Sequence, residues 1–177
     1  ECTLGVVGVG NIGKAVLYRA RVFGMRLLGN DIVPIPPDFI LENGVEMTGL
    51  REILERSDFV SISCDLNPTS YHLMNAETFR YMKPGGVIIN LARGPIVDEA
   101  ALIAALQEQR IRGAALDVFE EEPLPKVSPL LKMNQVMLAA HNSNSSPAAW
   151  ERVHRNTIRN LLLNLEIECQ DLDNLLT

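Results

Sequence analysis

The chain has 177 residues, enough for one domain with a hydrophobic core, and its 47% hydrophobic and 21% charged residues are typical of a globular protein. A formal net charge of −6 without a block of Lys or Arg argues against a nucleic-acid-binding surface, and no apolar run approaches the roughly 18 residues of a membrane span. The cysteines Cys2, Cys64 and Cys169 are far apart, which is typical of reduced thiols in a cytoplasmic protein and not of a disulfide framework or a metal site.

Short apolar runs alternate with segments of helical periodicity along the chain. The runs predict parallel strands over residues 4–8, 26–30, 59–63, 87–91, 113–118 and 136–139, with a weaker pattern at 45–47. The segments between them predict helices over residues 12–23, 50–56, 76–81, 98–109 and 147–165, and the proline-rich stretch 32–38 predicts a loop. Asn75, Asp98 and Ser146 are expected to cap the helices that follow them. The alternation predicts an open parallel sheet covered by helices on both faces.

Ligands of such a sheet bind outside the carboxyl ends of its strands, so the residues directly after each strand are the candidate site. One of these positions holds the motif GVGNIG, from Gly8 to Gly13, between the first strand and the first helix. Gly8 permits the tight turn, Gly10 lets a pyrophosphate approach the backbone, and Gly13 lets the helix pack close to the strand.

An acid, Asp31, follows the second strand, 18 positions after Gly13. Its carboxylate would accept hydrogen bonds from ribose hydroxyls and repel a 2′-phosphate, which favours NAD over NADP. The context of strand, glycine turn, helix and acid predicts a Rossmann-type doubly wound fold that binds NAD.

Arg93, the glutamates 120–122 and His141 follow later strands and are expected at the same edge of the sheet as the cofactor. An isolated arginine or histidine at such a position is more often structural, and His72 and His154 have only that interpretation. Together, however, a guanidinium can bind a carboxylate, an imidazole can transfer a proton, and a carboxylate can orient the imidazole. Any of the three glutamates could take the last role.

At this point the sequence resembles the D-isomer-specific 2-hydroxyacid dehydrogenases over nearly its whole length. The resemblance rests on GVGNIG with Asp31, NLARGPIVDEAALIAAL, RGAALDVFEEEP and a final strand that ends in His141. It implies that Arg93 binds the substrate, that His141 is the acid/base, and that Glu122 is its partner, which leaves Glu120 and Glu121 as solvated charges. It also implies a cofactor site formed by Gly8, Gly10, Asn11, Ile12, Gly13, Asp31, Cys64, Leu91, Ala92, Arg93, Asp117 and His141.

The resemblance further implies a small 2-hydroxy or 2-keto acid substrate, similarity to the phosphoglycerate dehydrogenases, and a homodimer. We expect an NAD-binding domain over residues 1–165 and a tail over 166–177, with the family's N-terminal substrate domain absent from this chain. The chain alone should therefore bind NAD(H) but catalyse poorly. One departure from the family pattern is the run Asn-Ser-Asn-Ser-Ser that follows His141.

Two alternatives remain open from the sequence. An NAD(H)-sensing interaction protein similar to the C-terminal-binding-protein corepressors would carry the same triad, and the segment CDLNPTSYHLMN is similar to their cofactor loop. A purely structural Rossmann domain is less favoured because all three catalytic positions are filled.

Overall fold

The computed structural model describes residues 2–165. Within them the strands are β1 (Thr3–Val7), β2 (Arg26–Asn30), β3 (Val45–Met47), β4 (Phe59–Ile62), β5 (Val87–Asn90), β6 (Gly113–Leu116) and β7 (Val136–Leu138). The α-helices are α1 (Asn11–Val22), α2 (Pro37–Asn43), α3 (Leu50–Arg56), α4 (Ala76–Tyr81), α5 (Glu99–Gln107) and α6 (Pro147–Asn164), and short 3-10 helices span Gly94–Ile96 and Pro129–Lys132.

The strands form one parallel sheet in the order β3-β2-β1-β4-β5-β6-β7. The chain builds outwards from β1 to β3 and then crosses to β4 on the other side of β1. The point where the strand order reverses therefore lies between β1 and β4, which is where sheets of this type bind their ligands. The predicted parallel α/β sheet is confirmed.

Helices cover both faces of this sheet, as the side chains of the interior strand β1 show. All five residues of β1 are buried, and neighbouring side chains of a strand point to opposite faces. Val6 packs in a cluster with Leu17 of α1, whereas Val7 packs in a second cluster with Ile53 of α3. The two clusters are the hydrophobic cores of the two faces, and they hold the strand ends at the site in fixed positions.

The predicted helix caps are confirmed. The Asn75 side chain accepts hydrogen bonds from the backbone N–H groups of Glu77 and Thr78, in a capping box that opens α4. Asp98 accepts one from Ala101 at the start of α5, and Ser146 accepts one from Ala149 at the start of α6.

The predicted loop over residues 32–38 is wrong at its C-terminal end, because α2 begins at Pro37. Proline fits the first position of a helix, where its missing N–H would have no intrahelical partner. The helix ends at Asn43 and is followed by Gly44, whose φ of 63° is in the left-handed region that favours glycine.

The described residues divide into two compact units, which meet in sequence between His141 and Asn142. The first contains the whole sheet and α1 to α5, and the second contains the 18-residue helix α6. The predicted domain extent of residues 1–165 stays a prediction, and the predicted tail over 166–177 lies outside the described residues. Among residues 2–165, no helix combines the length and the apolar character that a membrane span requires.

Candidate cofactor and active site

The turn between β1 and α1 contains three glycines. A Cβ on Gly8, whose φ is 91°, would lie 2.4 Å from the backbone nitrogen of Cys64, and one on Gly13 would lie 2.0 Å from the Gly8 carbonyl oxygen. A Cβ on Gly10 would meet no atom within 4 Å. Gly8 and Gly13 therefore permit close packing of the turn on β4 and α1, while the backbone at Gly10 faces open space.

A cavity of about 660 Å³ opens in front of this turn. It is lined by Val7, Gly8, Gly10, Asn11, Ile12, Asn30, Asp31, Ile32, Val33, Ser63, Cys64, Asp65, Asn67, Thr69, Ser70 and Leu73. The N-terminus of α1 supplies backbone N–H donors and a partial positive charge, which suit a pyrophosphate. The open backbone at Gly10 and the helix terminus fit the dinucleotide that the motif predicts.

Asp31 lies at the end of β2, on the wall of this cavity. One carboxylate oxygen accepts a hydrogen bond from the Val9 N–H at 2.6 Å, and the other accepts one from the Val33 N–H at 2.9 Å. These bonds join the loop after β2 to the glycine turn and set the position of the negative charge. A phosphate group placed beside this carboxylate would be repelled.

A second cavity of about 370 Å³ shares Ile12, Ser63, Cys64 and Asp65 with the first. Its other lining residues are Val16, Ser61, Ile62, Leu66, Leu91, Ala92 and Arg93. The cavities thus form a groove along the ends of β1, β4 and β5, with Asp31 in one part and Arg93 in the other. The Cys64 thiol is half-buried where they meet, and its burial raises its pKa, so the thiol is neutral at physiological pH.

Asn90 organises the loop that carries Arg93. This buried side chain accepts a hydrogen bond from the Ala92 N–H at 3.1 Å and donates one to the Arg93 carbonyl oxygen at 2.9 Å. The next residue, Gly94, packs directly on the loop after β6, since a Cβ there would lie 1.8 Å from the Phe119 carbonyl oxygen. The arginine loop and the glutamate loop are therefore in backbone contact.

His141 and Glu122 form a hydrogen-bonded pair after β7 and β6. Nδ1 of the imidazole lies 2.7 Å from Glu122 Oε2, and the other carboxylate oxygen accepts a hydrogen bond from the Phe119 N–H at 3.0 Å. The bond with His141, followed by the one from Phe119, holds the pKa of the Glu122 carboxyl below its usual range. The carboxylate orients the ring, and Nε2 on the far side of the ring is left to exchange a proton.

Asp117, which the family resemblance places at the cofactor, is buried and lines neither cavity. Its N–H donates a hydrogen bond to the Asn90 carbonyl oxygen at 3.1 Å. Asp117 therefore lies behind the arginine loop, next to the residue that shapes that loop.

Glu120 is exposed, as predicted, but its carboxylate also has two partners within the protein. Its Oε1 lies 2.6 Å from Nε2 of His72, and its Oε2 accepts a hydrogen bond from the Glu99 N–H at 2.8 Å. Glu121 between the pairs is exposed, as expected. The sequence did not indicate the His72 contact, because the two residues are 48 positions apart.

Part of the cavity wall was not among the site residues predicted from the sequence. Asn67, Thr69, Ser70 and Leu73 line the cavity and belong to the loop after β4, within the segment CDLNPTSYHLMN that is similar to the cofactor loop of the corepressors. That similarity and the position of the loop at the carboxyl end of a strand were the available indications. Within the described residues, no group of three or more His, Cys, Asp or Glu side chains is arranged to hold a metal ion.

Comparison with known proteins supplies the family. A model described as the D-isomer specific 2-hydroxyacid dehydrogenase, NAD binding domain, matches residues 1–143. The chain belongs to this family. The matched residues contain the glycine turn, Asp31, Arg93, Glu122 and His141, and the cofactor of this domain of the D-2-hydroxyacid dehydrogenases is NAD.

The similar proteins include reductases and dehydrogenases named for 2-hydroxy or 2-keto acids. The chain is 45% identical over 160 residues to a glyoxylate reductase of Korarchaeum cryptofilum, a match that covers 90% of this chain and 48% of that protein. It is 44% identical over 149 residues to a D-3-phosphoglycerate dehydrogenase of Methanocaldococcus jannaschii, covering 83% and 28% of the two chains. A solved structure of the holo D-mandelate dehydrogenase of Rhodotorula graminis superposes with a TM-score of 0.85 at 36% identity, over 92% of this chain and 47% of that one. The chain thus spans about half the length of the glyoxylate reductase and less than a third of the phosphoglycerate dehydrogenase.

Proposed function

We propose that the chain is the NAD-binding domain of an NAD-dependent D-2-hydroxyacid dehydrogenase, which interconverts a 2-hydroxy acid and a 2-keto acid. The observation that carries the proposal is the His141–Glu122 pair at the ends of β6 and β7. A histidine held by a carboxylate, at the same sheet edge as a dinucleotide groove, meets the needs of alcohol and carbonyl redox chemistry.

Each residue of the triad has a role in this proposal. Arg93 lines the smaller cavity and would bind the substrate's carboxylate and carbonyl oxygen through its planar guanidinium. In the oxidative direction His141 accepts the hydroxyl proton at Nε2 as the C–H bond of the substrate breaks. In reduction it returns a proton to the carbonyl oxygen from the same atom. Glu122 keeps the ring in position through its hydrogen bond with Nδ1. Bound NAD supplies the hydride acceptor or donor.

Asp31 supports NAD, and not NADP, as the cofactor of this chain. Its carboxylate is fixed by two backbone N–H groups at the cavity wall. Neither cavity has a lysine or arginine among its lining residues apart from Arg93, which lies in the part away from Asp31. A 2′-phosphate would therefore meet a negative charge without a compensating cation.

The substrate class we propose is a short 2-keto acid, since the relatives include proteins named for the reduction of glyoxylate and for the oxidation of 3-phosphoglycerate. The reported relatives give no support to the corepressor alternative. We extend the proposal to a cytoplasmic homodimer. Exposed apolar side chains such as Val22 and Phe23 at the end of α1 are available for a subunit contact.

Two measurements test the proposal. NADH and NADPH are titrated into the chain and followed by the fluorescence of the reduced nicotinamide; we expect NADH to bind at least about tenfold more tightly, the factor that corresponds to about 1.4 kcal/mol of repulsion. The gene product that contains this chain is then assayed with NADH and a panel of 2-keto acids, and with Arg93→Ala and His141→Ala variants as controls. An absence of turnover with every keto acid would contradict the proposed enzymatic activity. Equal affinities for NADH and NADPH would contradict the proposed role of Asp31 in excluding NADP.

A further inference from the structure

Two histidines of the first unit have left-handed backbones, and each is bonded to a glutamate of the same short run. His141 has a φ of 53° and contacts Glu122, and His72 has a φ of 48° and contacts Glu120. Residues other than glycine rarely adopt this region of φ, and they do so where the surrounding contacts hold them there. The first pair belongs to the proposed triad, whereas the second has no part in it.

The His72–Glu120 pair joins three segments of the chain. Its 2.6 Å contact connects the loop after β4 with the loop after β6, and the Glu120 carboxylate also accepts the Glu99 N–H at the start of α5. Both side chains of the pair are about 30% exposed, so the contact is partly shielded from solvent. The Tyr71 ring stacks on the His72 ring at 4.1 Å between centroids and limits its rotation.

The backbone around His72 is tied to the arginine loop. The His72 N–H donates to the Pro95 carbonyl oxygen at 2.9 Å, and the Met74 N–H donates to that of Ile96 at 3.0 Å. Pro95 and Ile96 lie two and three residues after Arg93. The segment at His72 is therefore held by backbone bonds on one side and by Glu120 on the other.

The residues just before His72 form one wall of the larger cavity. Thr69 and Ser70 line it, and Ser70 Oγ donates a hydrogen bond to the Asp65 carbonyl oxygen at 2.5 Å and accepts one from the Asn67 N–H at 2.9 Å. These local bonds shape the turn, but they do not connect it to the rest of the sheet edge. The contacts at His72 are the next along the chain that connect the wall to other loops.

We propose that His72 and Glu120 are positioning residues for the dinucleotide: their contact holds the wall of residues 67–73 against the loops of Arg93 and Glu122 and so strengthens cofactor binding. This inference rests on the proposed function, in which that cavity holds NAD. The pair does not touch the reacting atoms, and its effect is expected on cofactor affinity.

The test measures NADH affinity by fluorescence titration of the 177-residue chain and its variants. Glu120→Ala removes the acceptor of both contacts, and His72→Asn ends one bond short of Nε2 while tolerating the left-handed backbone. We expect each to raise the Kd for NADH roughly fivefold, as suits the loss of a partly exposed charge-assisted hydrogen bond. Because the contact that His72→Asn breaks is already lost in Glu120→Ala, the double variant should bind no more weakly than Glu120→Ala alone.

The matched control is Glu121→Ala, which removes the same charge from the exposed neighbour and should leave the Kd unchanged. Glu120→Gln keeps an oxygen for the Glu99 N–H and an amide for His72, so it should restore most of the affinity. A general loss of folding would not be rescued in this way, and thermal melts of all variants monitor it. If Glu120→Ala does not fold, the Kd for NADH of His72→Asn is compared with that of the double variant His72→Asn and Glu120→Gln. That comparison then tests the positioning role.

The outcomes separate the two proposals. Failure of the unchanged chain to bind NADH contradicts the proposed function. If the unchanged chain binds NADH normally, two results would overturn the positioning role. One is a Kd for Glu120→Ala that is no higher than that for Glu121→Ala. The other is a double variant of His72→Asn and Glu120→Ala whose increase in Kd is the product of the two single increases.

Discussion

Three consecutive glutamates occupy three different environments in this protein. Glu120 contacts His72, Glu121 is exposed, and Glu122 contacts His141. The three side chains are chemically identical and differ only in their partners, so the fold around the loop decides the role of each one. Glu122 is the one whose pKa is lowered by a histidine and a backbone N–H, which keeps it ionised at neutral pH.

Glu122→Gln should lower the rate of keto-acid reduction. A carboxylate holds the His141 ring through a charge-assisted hydrogen bond, and an amide forms a weaker one, so we expect a loss of roughly tenfold. The rate of NADH oxidation at pH 7 is the measurement, with Glu121→Gln as the matched control. An unchanged rate with Glu122→Gln would mean that this carboxylate does not act on His141.

Local sequence patterns were sufficient to predict the glycine turn of the cofactor site, but not the two histidine–glutamate pairs. Gly8, Gly10 and Gly13 act within one strand–turn–helix unit, so their spacing alone indicates the turn. The choice of Glu122 needed the resemblance to a family, because nothing within the run distinguishes it from its neighbours. The His72–Glu120 contact depends on how two distant loops meet, which no local pattern encodes.

The secondary structure elements were predictable where hydrophobic periodicity and capping agree, as in α4 and α5. The helix α2 was missed because it begins within a stretch rich in proline, which locally favours a loop. Its end is a Gly in the left-handed region, as is usual for a helix C-terminus. The end of α5 differs: the second residue after that helix is Gln109, with a φ of 54°.

Gln109→Gly should stabilise the protein. Glycine adopts this φ without the steric penalty of a Cβ, so we expect an increase in unfolding free energy of about 1 kcal/mol. Gly44→Ala is the opposite experiment at the end of α2, where a Cβ would meet no atom within 4 Å and only the backbone conformation opposes it. It should destabilise by about 1 kcal/mol. Denaturant unfolding of both variants provides the check; equal stabilities of the three proteins would contradict the backbone argument.

Over the whole sheet, the parallel arrangement depends on contacts between segments far apart in sequence. Asp58 is one such contact, since its carboxylate accepts the Thr3 N–H at 2.8 Å and the Lys83 ammonium at 2.5 Å. The hydrogen bond with Lys83, followed by that with Thr3, lowers the pKa of Asp58. The carboxylate thus connects the beginnings of β1 and β4 with the turn before β5.

Asp58→Asn should therefore destabilise the protein in a pH-dependent way. Because the folded pKa lies below the ordinary value, the stabilisation is fully present above about pH 4 and is lost as the pH falls through the folded pKa. We expect a loss of about 1 kcal/mol at pH 7 that shrinks on acidification. Unfolding curves at pH 7 and at pH 3 measure it. A difference from the unchanged chain that is the same at both pH values would contradict the assignment.

The close approach at Gly94 has a mechanical consequence. The Gly94 backbone lies so close to that of Phe119 that no side chain fits between them. Arg93 directly precedes Gly94, and Glu122 lies in the same loop as Phe119 and accepts its N–H. This contact opposes a hinge between the loop of Arg93 and the loop of Glu122. If the domain moves within a larger protein, the guanidinium and the carboxylate should therefore move together as one rigid unit.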